Sequence, residues 1–289
     1  MKPRIPAPDK NLSGELFVVA TPIGNLQEMS PRACAVLSQV DLIACEDTRH
    51  TRKLCSAFEI STPLTSYYRE QEQKKSDTLI RRLQGGENIA LVADAGTPGL
   101  SDPGAVLVKK ARAAGIKINA VAGPSALAAA LSIAGINESA FFFGGFLPAK
   151  KSEKAQWLRG VRTLPWPLIF YESPHRIKQS LAVLLEVLGY RQALLIRELT
   201  KIHEQCLEGT LEQLLEQVGN GVKGELVLIV EGAPPPTQEK PENLEELVAW
   251  YRREQQASLK DTVQGISADL DLPRSTVYKN VLAIWKQEE

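Results

Sequence analysis

Histidine and cysteine are scarce, with three His and four Cys in 289 residues. Cys34, Cys45, Cys55 and Cys206 show no CxxC spacing, and three histidines leave little for a metal cluster, so no metal is expected. Net charge is absent as well: 34 Lys and Arg balance 34 Asp and Glu. Bulk electrostatics therefore favours neither nucleic acid nor an acidic ligand, and any such site must come from local clustering. The N-terminal "MKPRIPAPDKNLSG" has no apolar stretch of the kind a secretion signal needs. No uninterrupted apolar run reaches the length of a membrane span. These absences predict a cytosolic protein with reduced thiols, located in the cytoplasm and away from membranes. Neither GxxxxGK[ST] nor GxGxxG with its trailing acid occurs, which argues against a P-loop and against a dinucleotide site.

What is present is an ordinary globular composition, 44% hydrophobic and 24% charged. Short apolar runs recur and end in polar or Gly/Pro loops. "ELFVVAT" (Glu15 to Thr21), "VDLIACED" (Val40 to Asp47), "NIALVAD" (Asn88 to Asp94) and "KINAVAG" (Lys117 to Gly123) read as buried strands. Helical patterns lie between some of them, as at Ser76 to Leu83 and Ala105 to Ala114. This alternation predicts a mostly parallel sheet covered on both faces. The aromatic, glycine-containing and then basic stretch "FFFGGFLPAKKSEK" (Phe141 to Lys154) marks a domain junction. A second α/β series follows, with strands at Leu168 to Ser173, Ala193 to Leu199 and Glu225 to Gly232, and helices at His175 to Leu188 and Thr210 to Val218. "GAPPPTQEKP" cannot continue a helix or a central strand and reads as a stiff linker. Three helical stretches close the chain, the first with Leu244, Leu247, Val248 and Tyr251 at helical spacing. The expected boundaries are a flexible leader 1–14, an α/β domain 15–140, a second α/β domain 141–232, a Pro-rich linker 233–241 and a helical domain 242–289.

In α/β sheets, ligands bind beyond the carboxyl ends of the strands. Here those ends deliver "TPIGN", "CEDTRHT", "DAGTPGLSDPG" and "AGPSAL" in the first series, and "YESPHR" and "RELTKIHE" in the second. The densest is "VADAGTPGLSDPG" (Val92 to Gly104), with three glycines, two prolines and two aspartates. Glycine lets the backbone approach a ligand and proline fixes the path of the loop. Several such loops at one sheet edge point to a shared site for a small polar molecule read largely by backbone. Asp94 is expected to face that site, whereas Asp102, which stands before the next helix, is expected to cap it.

The ordered set "TPIGNL", "EDTRHT", "DAGTPGLSDPG", "GPSA", "FGGFLPAK", "FYESPHR", "RELTK" and "GELVLIVEG" resembles the ribosomal RNA small subunit methyltransferase I family, in the tetrapyrrole methylase-like group of S-adenosylmethionine methyltransferases. The resemblance covers roughly Glu15 to Gly232. It departs one place before Gly145, where the family carries an acidic residue and this chain has Gly144. It implies an α/β fold of two domains of the tetrapyrrole methylase type, with the cofactor in the cleft between them and a small C-terminal helical, helix-turn-helix-like domain. It also implies a homodimer that binds S-adenosylmethionine and methylates a cytidine ribose 2′-hydroxyl of small-subunit rRNA near the decoding centre. The partner is then that rRNA or the assembled 30S subunit. Carried over by motif, the cofactor contacts are Pro22, Gly24, Asp94, Ala95, Gly96, Thr97 and Leu100, then Ser125 and Ala126, and from the second series Tyr171, Leu199, Thr200 and Glu225.

A ribose hydroxyl is a weak nucleophile at neutral pH, so a base or an anion-stabilising cation helps. "EDTRHT" offers Glu46, Asp47 and Arg49 for this, with Glu172 and Arg176 of "YESPHR" as rivals. A structural ion-pair cluster at a strand end is the plainer reading of the same residues. His50, His175 and His203 are scattered and read as surface polar residues, and Cys45 as a small core residue. For RNA, Lys150, Lys151, Lys154, Arg159 and Arg162 face one acid, Glu153, and are joined by Arg274 and Lys279 of the last helix. In that helix Leu272, Val277, Val281 and Ile284 are expected to face a core. Two other readings stay open: a methyltransferase acting on a small tetrapyrrole, and a nucleic-acid-binding regulator whose α/β body senses a ligand.

Overall fold

The computed structural model describes residues 13–137, 139–219, 221–234, 243–253, 257–270 and 272–286. Residues 1–12 of the expected leader and 235–241 of the expected linker lie outside the described residues. The chain divides into two compact units, Met1–Ala233 and Pro234–Glu289. Both α/β series lie within the first.

Its first sheet is built from β1 (Leu16–Val19), β2 (Leu42–Cys45), β3 (Leu64–Ser66), β4 (Ile89–Val92) and β5 (Ile118–Val121), all parallel, in the order β3-β2-β4-β1-β5. β2 and β4 are buried along their whole length, as their unbroken apolar runs require when both faces are covered. The crossovers are α1 (Pro31–Gln39), α2 (Thr48–Ala57), α3 (Glu72–Gln84) and α4 (Ala105–Ala113), and α5 (Ala126–Ile133) follows β5. Local signals start several of these. Ser30 accepts from the Ala33 N–H with Pro31 in the first turn of α1, and Asp47 accepts from the Arg49 N–H at the start of α2. Because all five strands run one way, their carboxyl ends share one edge.

The second sheet holds β6 (Phe142–Phe146), β7 (Leu168–Glu172), β8 (Gln192–Arg197), β9 (Gln205–Thr210) and β10 (Leu226–Val230). Its order is β6-β7-β10-β8-β9, with only β6 and β7 parallel. The antiparallel β10 sets Leu226 opposite both Glu172 and Arg197, so the start of β10 joins the ends of β7 and β8 at one edge. Strand alternation divides the side chains. Leu168, Phe170, Leu195, Leu226, Leu228 and Val230 face the core made with α6 (Lys151–Val161), α7 (Ile177–Leu188) and α8 (Leu211–Gln217). Ile169, Ile196, Val227 and Ile229 face the opposite way, onto Ala130 and the partly buried Leu127 and Leu131 of α5. That second face binds the two sheets into one unit.

Three strands went unread in the sequence. β3 is short and only half-buried, and β9 is a polar edge strand that needs no apolar face. β6 lies inside the stretch read as a junction and is bulged between Phe143 and Gly145. A Cβ at Gly144 would stand 2.7 Å from the rings of both Phe170 and Trp157, so the acidic residue usual in the family has no room here.

Among the described residues the second unit holds three helices, α9 (Leu244–Arg253), α10 (Leu259–Asp269) and α11 (Arg274–Trp285), around Leu247, Val248, Val263, Ile266, Val277 and Val281. Leu272, expected in that core, is 44% exposed because it precedes α11. Among the described residues no helix is long and apolar enough to cross a membrane.

Candidate functional site

The strand-end loops of the first sheet are tied to one another. Thr21 and Gly96 exchange backbone hydrogen bonds of 2.9 and 3.0 Å, joining "TPIGN" to the glycine-rich loop after β4. The Asp47 N–H donates to Asp94 Oδ1 at 2.9 Å, and Thr97 Oγ1 donates to the Pro124 carbonyl at 3.1 Å. The rigidity read from the sequence is thus realised between loops as well as within one. Gly96 sits at φ +76°, where only glycine is unstrained, and a Cβ there would press on Ile23 at 3.3 Å. Ser101, a non-glycine residue, is held at φ +70°, and the Arg69 guanidinium donates to its carbonyl at 2.9 Å.

Facing these loops, the second sheet contributes Tyr171. Its hydroxyl accepts from the Leu127 N–H at 3.0 Å, capping α5 from across the fold. Phe143 and Phe146 pack edge-on against its ring at 5.0 and 5.6 Å. Between the two sheets lies a cleft of about 390 Å³, within the roughly 300–1,000 Å³ of small-molecule sites.

Most expected cofactor contacts line this cleft: Asp94, Ala95, Gly96, Thr97, Leu100, Ser125 and Ala126 from the first sheet, and Tyr171, Leu199 and Glu225 from the second. Pro22, Gly24 and Thr200 do not. A Cβ on Gly24 would lie 2.5 Å from Lys201 Cγ and 3.1 Å from the Leu199 carbonyl, so this glycine permits close packing of two loops. Thr200, at φ +64°, donates its N–H to Glu204, and among the described residues its buried hydroxyl has no partner. Ile23, Asp102, Phe146, Ser173, Pro174, Leu226 and Val227 line the cleft and were not foreseen. The antiparallel course of β10, which brings Leu226 and Val227 there, has no signature in the sequence.

Of the four catalytic candidates, Glu46 lines the cleft and Asp47 and Arg49 do not. Asp47 is the α2 cap, bonded to the Arg49 N–H at 2.7 Å and paired with its exposed guanidinium at 2.8 Å. Those two hydrogen bonds hold its carboxyl well below the usual range. Glu172 is among the residues that line the cleft, but its side chain is fully buried. As the last residue of β7 it follows Leu168 and Phe170 onto the helix-covered face. There Oε1 accepts from Ser180 Oγ at 2.5 Å and Oε2 from the Ser173 N–H at 3.0 Å. Lys154, read as an RNA contact, is also fully buried and donates to Ser180 Oγ at 2.6 Å. Arg176 lies beside the same carboxylate, with Nε 3.7 Å from Oε2. Lys150, Lys151 and Arg159 are exposed on and beside α6, the lysines paired with Glu153 and Glu186. Arg274 and Lys279 are exposed on α11 around a hollow of about 720 Å³ that also takes Lys260 and Tyr278. All three histidines are exposed, and Cys45 is buried, its thiol pushed up to about 11 by that burial.

The cleft has a consistent charge. Glu46, Asp94, Asp102 and Glu225 bring carboxylates to it, and among the described residues none that lines it is Lys, Arg or His. Burial pushes the Glu46 carboxyl up, helped by Asp94 and Asp102, and burial then Asp94 push Asp102 up to about 6. Asp102 is not the cap expected for α4. The Gly104 N–H at that helix start goes to Glu72 Oε1 at 2.7 Å instead. Walls of glycine backbone, aromatic rings and carboxylates suit a small cationic ligand with one flat end.

Residues 15–215 match the family model of the tetrapyrrole (corrin/porphyrin) methylases. The chain is 50% identical over 224 residues to a ribosomal RNA small subunit methyltransferase I of Xylella fastidiosa, covering 76% of this chain and 82% of that one. It is 41% identical over 280 residues to the protein of the same name in Escherichia coli O157:H7, covering 94% and 96%. Among solved structures, a uroporphyrin-III C-methyltransferase from Thermus thermophilus complexed with S-adenyl homocysteine superposes with a TM-score of 0.55 at 17% identity, over 75% of this chain and 97% of that one.

Proposed function

The chain belongs to the ribosomal RNA small subunit methyltransferase I family of tetrapyrrole methylases, and from that we infer that it transfers the methyl group of S-adenosylmethionine to small-subunit rRNA. The observation that carries the reading is that every charged residue lining the cleft at the carboxyl edge of the first sheet, among the described residues, is an acid. S-adenosylmethionine brings a sulfonium and an ammonium against one carboxylate, so the charge of the site matches the charge of the cofactor. Backbone from Ala95 to Thr97, with Leu100, Ser125, Ala126, Tyr171, Leu199 and Glu225, would hold it. Pro22, Gly24 and Thr200 would act by shaping the loops around it. When bound, the sulfonium supplies an activated methyl group, and the protein's task is to align an acceptor oxygen and exclude water.

The acceptor is a cytidine ribose 2′-hydroxyl near the decoding centre, presented by free rRNA or by the assembled 30S subunit. A carboxylate-lined cleft repels phosphates, so RNA is held outside it. Lys150, Lys151 and Arg159 in the first unit, and separately Arg274 and Lys279 in the second, are the side chains proposed to meet its backbone. A ribosomal substrate supports a cytoplasmic location. A homodimer is supported by α5, whose sequence is apolar on nearly every side although only Ala130 is fully buried and Ile133 is 48% exposed. The deciding experiment supplies S-adenosylmethionine with a labelled methyl group to purified 30S subunits, to free 16S rRNA and to a precorrin-like acceptor. Label in a cytidine ribose is expected, and label in the small acceptor alone would overturn the assignment.

A further inference from the structure

Asp102 was the aspartate least expected in the site. It precedes Pro103, which disfavours the helical region for the residue before it. The cap position it was expected to serve is satisfied by Glu72 from α3. Among the described residues no hydrogen bond or ion pair reaches its carboxylate, yet it is partly buried and lines the cleft. The loop that carries it is held in an unusual conformation by a specific contact: Ser101 at φ +70°, its carbonyl taken by Arg69. A left-handed non-glycine residue is strained and persists where the surroundings enforce it, most often beside functional groups. Two of the other three carboxylates brought to the cleft differ, whereas Glu46, which like Asp102 has no hydrogen bond or ion pair among the described residues, is the rival that the test includes. Asp94 is occupied by the Asp47 N–H, and Glu225 by Lys201 at 3.0 Å.

Resting on the methyl-transfer reading, we propose that Asp102 is the general base of the reaction, taking the proton of the acceptor hydroxyl. In that step the O–H and S–CH₃ bonds break and an O–CH₃ bond forms. The sulfur keeps the electron pair as a neutral thioether, and the proton passes to a carboxylate oxygen of Asp102. A free carboxylate in a partly dehydrated cleft has the basicity this needs. Burial and Asp94 push it up to about 6, while Arg69 pulls the other way. The other groups facing it are Glu46 after β2 and Tyr171 of β7.

The test compares wild type, Asp102→Asn and Glu46→Gln, each as the full chain, on 30S subunits. Asp102→Asn is expected to lower kcat about 10²- to 10⁴-fold. In wild type, kcat should rise with pH through about 6 and level off, and in Asp102→Asn that rise should vanish. Melting without cofactor gives a readout independent of turnover. A carboxyl raised in the folded state binds its proton more tightly there than in the unfolded chain, so it removes stability as pH climbs from about 4 to about 6. Asp102→Asn should therefore melt above wild type at pH 7.5 and lose that advantage at pH 4.5. Active wild type with an equally active Asp102→Asn, or a pH rise abolished by Glu46→Gln instead, overturns the assignment to Asp102 alone. Wild type that transfers no methyl group to 30S subunits or, in the same assay, to free 16S rRNA overturns the enzymatic reading beneath it.

Discussion

Replacing Lys154 by Met tests whether a residue that looks like an RNA contact is instead a buried countercharge. Lys154 is fully buried, donates at 2.6 Å to Ser180 Oγ, and lies 4.0 Å from Glu172 Oε1. An ammonium can only donate, so the Ser180 hydrogen is directed onward to the carboxylate. Burial pulls the Lys154 amine below its usual range, and the nearby Glu172 opposes that shift. Removing one member of a buried pair leaves the other charge uncompensated and costs about 3–5 kcal/mol, whereas removing both is often neutral. Arg176 Nε, 3.7 Å from Oε2, remains as partial compensation, which places Lys154→Met toward about 3 kcal/mol. At roughly 2–4 °C per kcal/mol for a unit of this size, melting should fall by about 6–12 °C. The double variant Lys154→Met/Glu172→Gln should recover at least half of that loss. Urea unfolding of wild type, both single variants and the double variant measures the coupling directly. Affinity for 30S subunits, corrected for folded fraction, should be unchanged. A Lys154→Met protein within about 1 kcal/mol of wild type, or one that is fully stable but binds RNA poorly, would refute the buried-countercharge account.

Three further outcomes follow from the same geometry. Gly96→Val, forced to adopt φ +76° against Ile23, should weaken S-adenosylmethionine binding at least tenfold while the protein stays folded, as calorimetry and circular dichroism can show together. Tyr171→Phe removes the hydroxyl that accepts the Leu127 N–H and should cost about 0.5–1.5 kcal/mol in urea unfolding. Asp47→Ala should lower the melting temperature through loss of the α2 cap, and should do so only above the depressed pKa of the carboxylate, yet leave kcat near wild type because Asp47 does not line the cleft.

The sequence alone determined the parts of this protein that rest on local rules. Unbroken apolar runs such as "IALV" can only be buried strands or helix segments, and their brevity and spacing selected strands alternating with helices. Gly96, Thr97 and the loop around them were legible as a rigid, close-approaching loop, and they line the cleft, because glycine and proline restrict backbone geometry wherever they occur. The first and last helices of the second unit followed from the period of Leu247, Val248, Val277 and Val281. The tertiary structure decided what depends on partners distant in the chain. Glu172 and Lys154 are charged residues whose local sequence suits a surface, and only the packing of α6 and α7 on one face of the second sheet turned them inward. Asp102 had every local mark of a helix cap. Glu72 took that role from α3, and the displaced carboxylate became part of the cleft. Backbone propensity and side-chain period act over a few residues, so they are written in the sequence. Which face a charge meets, and which of two acids reaches a free N–H first, is settled only when remote elements pack.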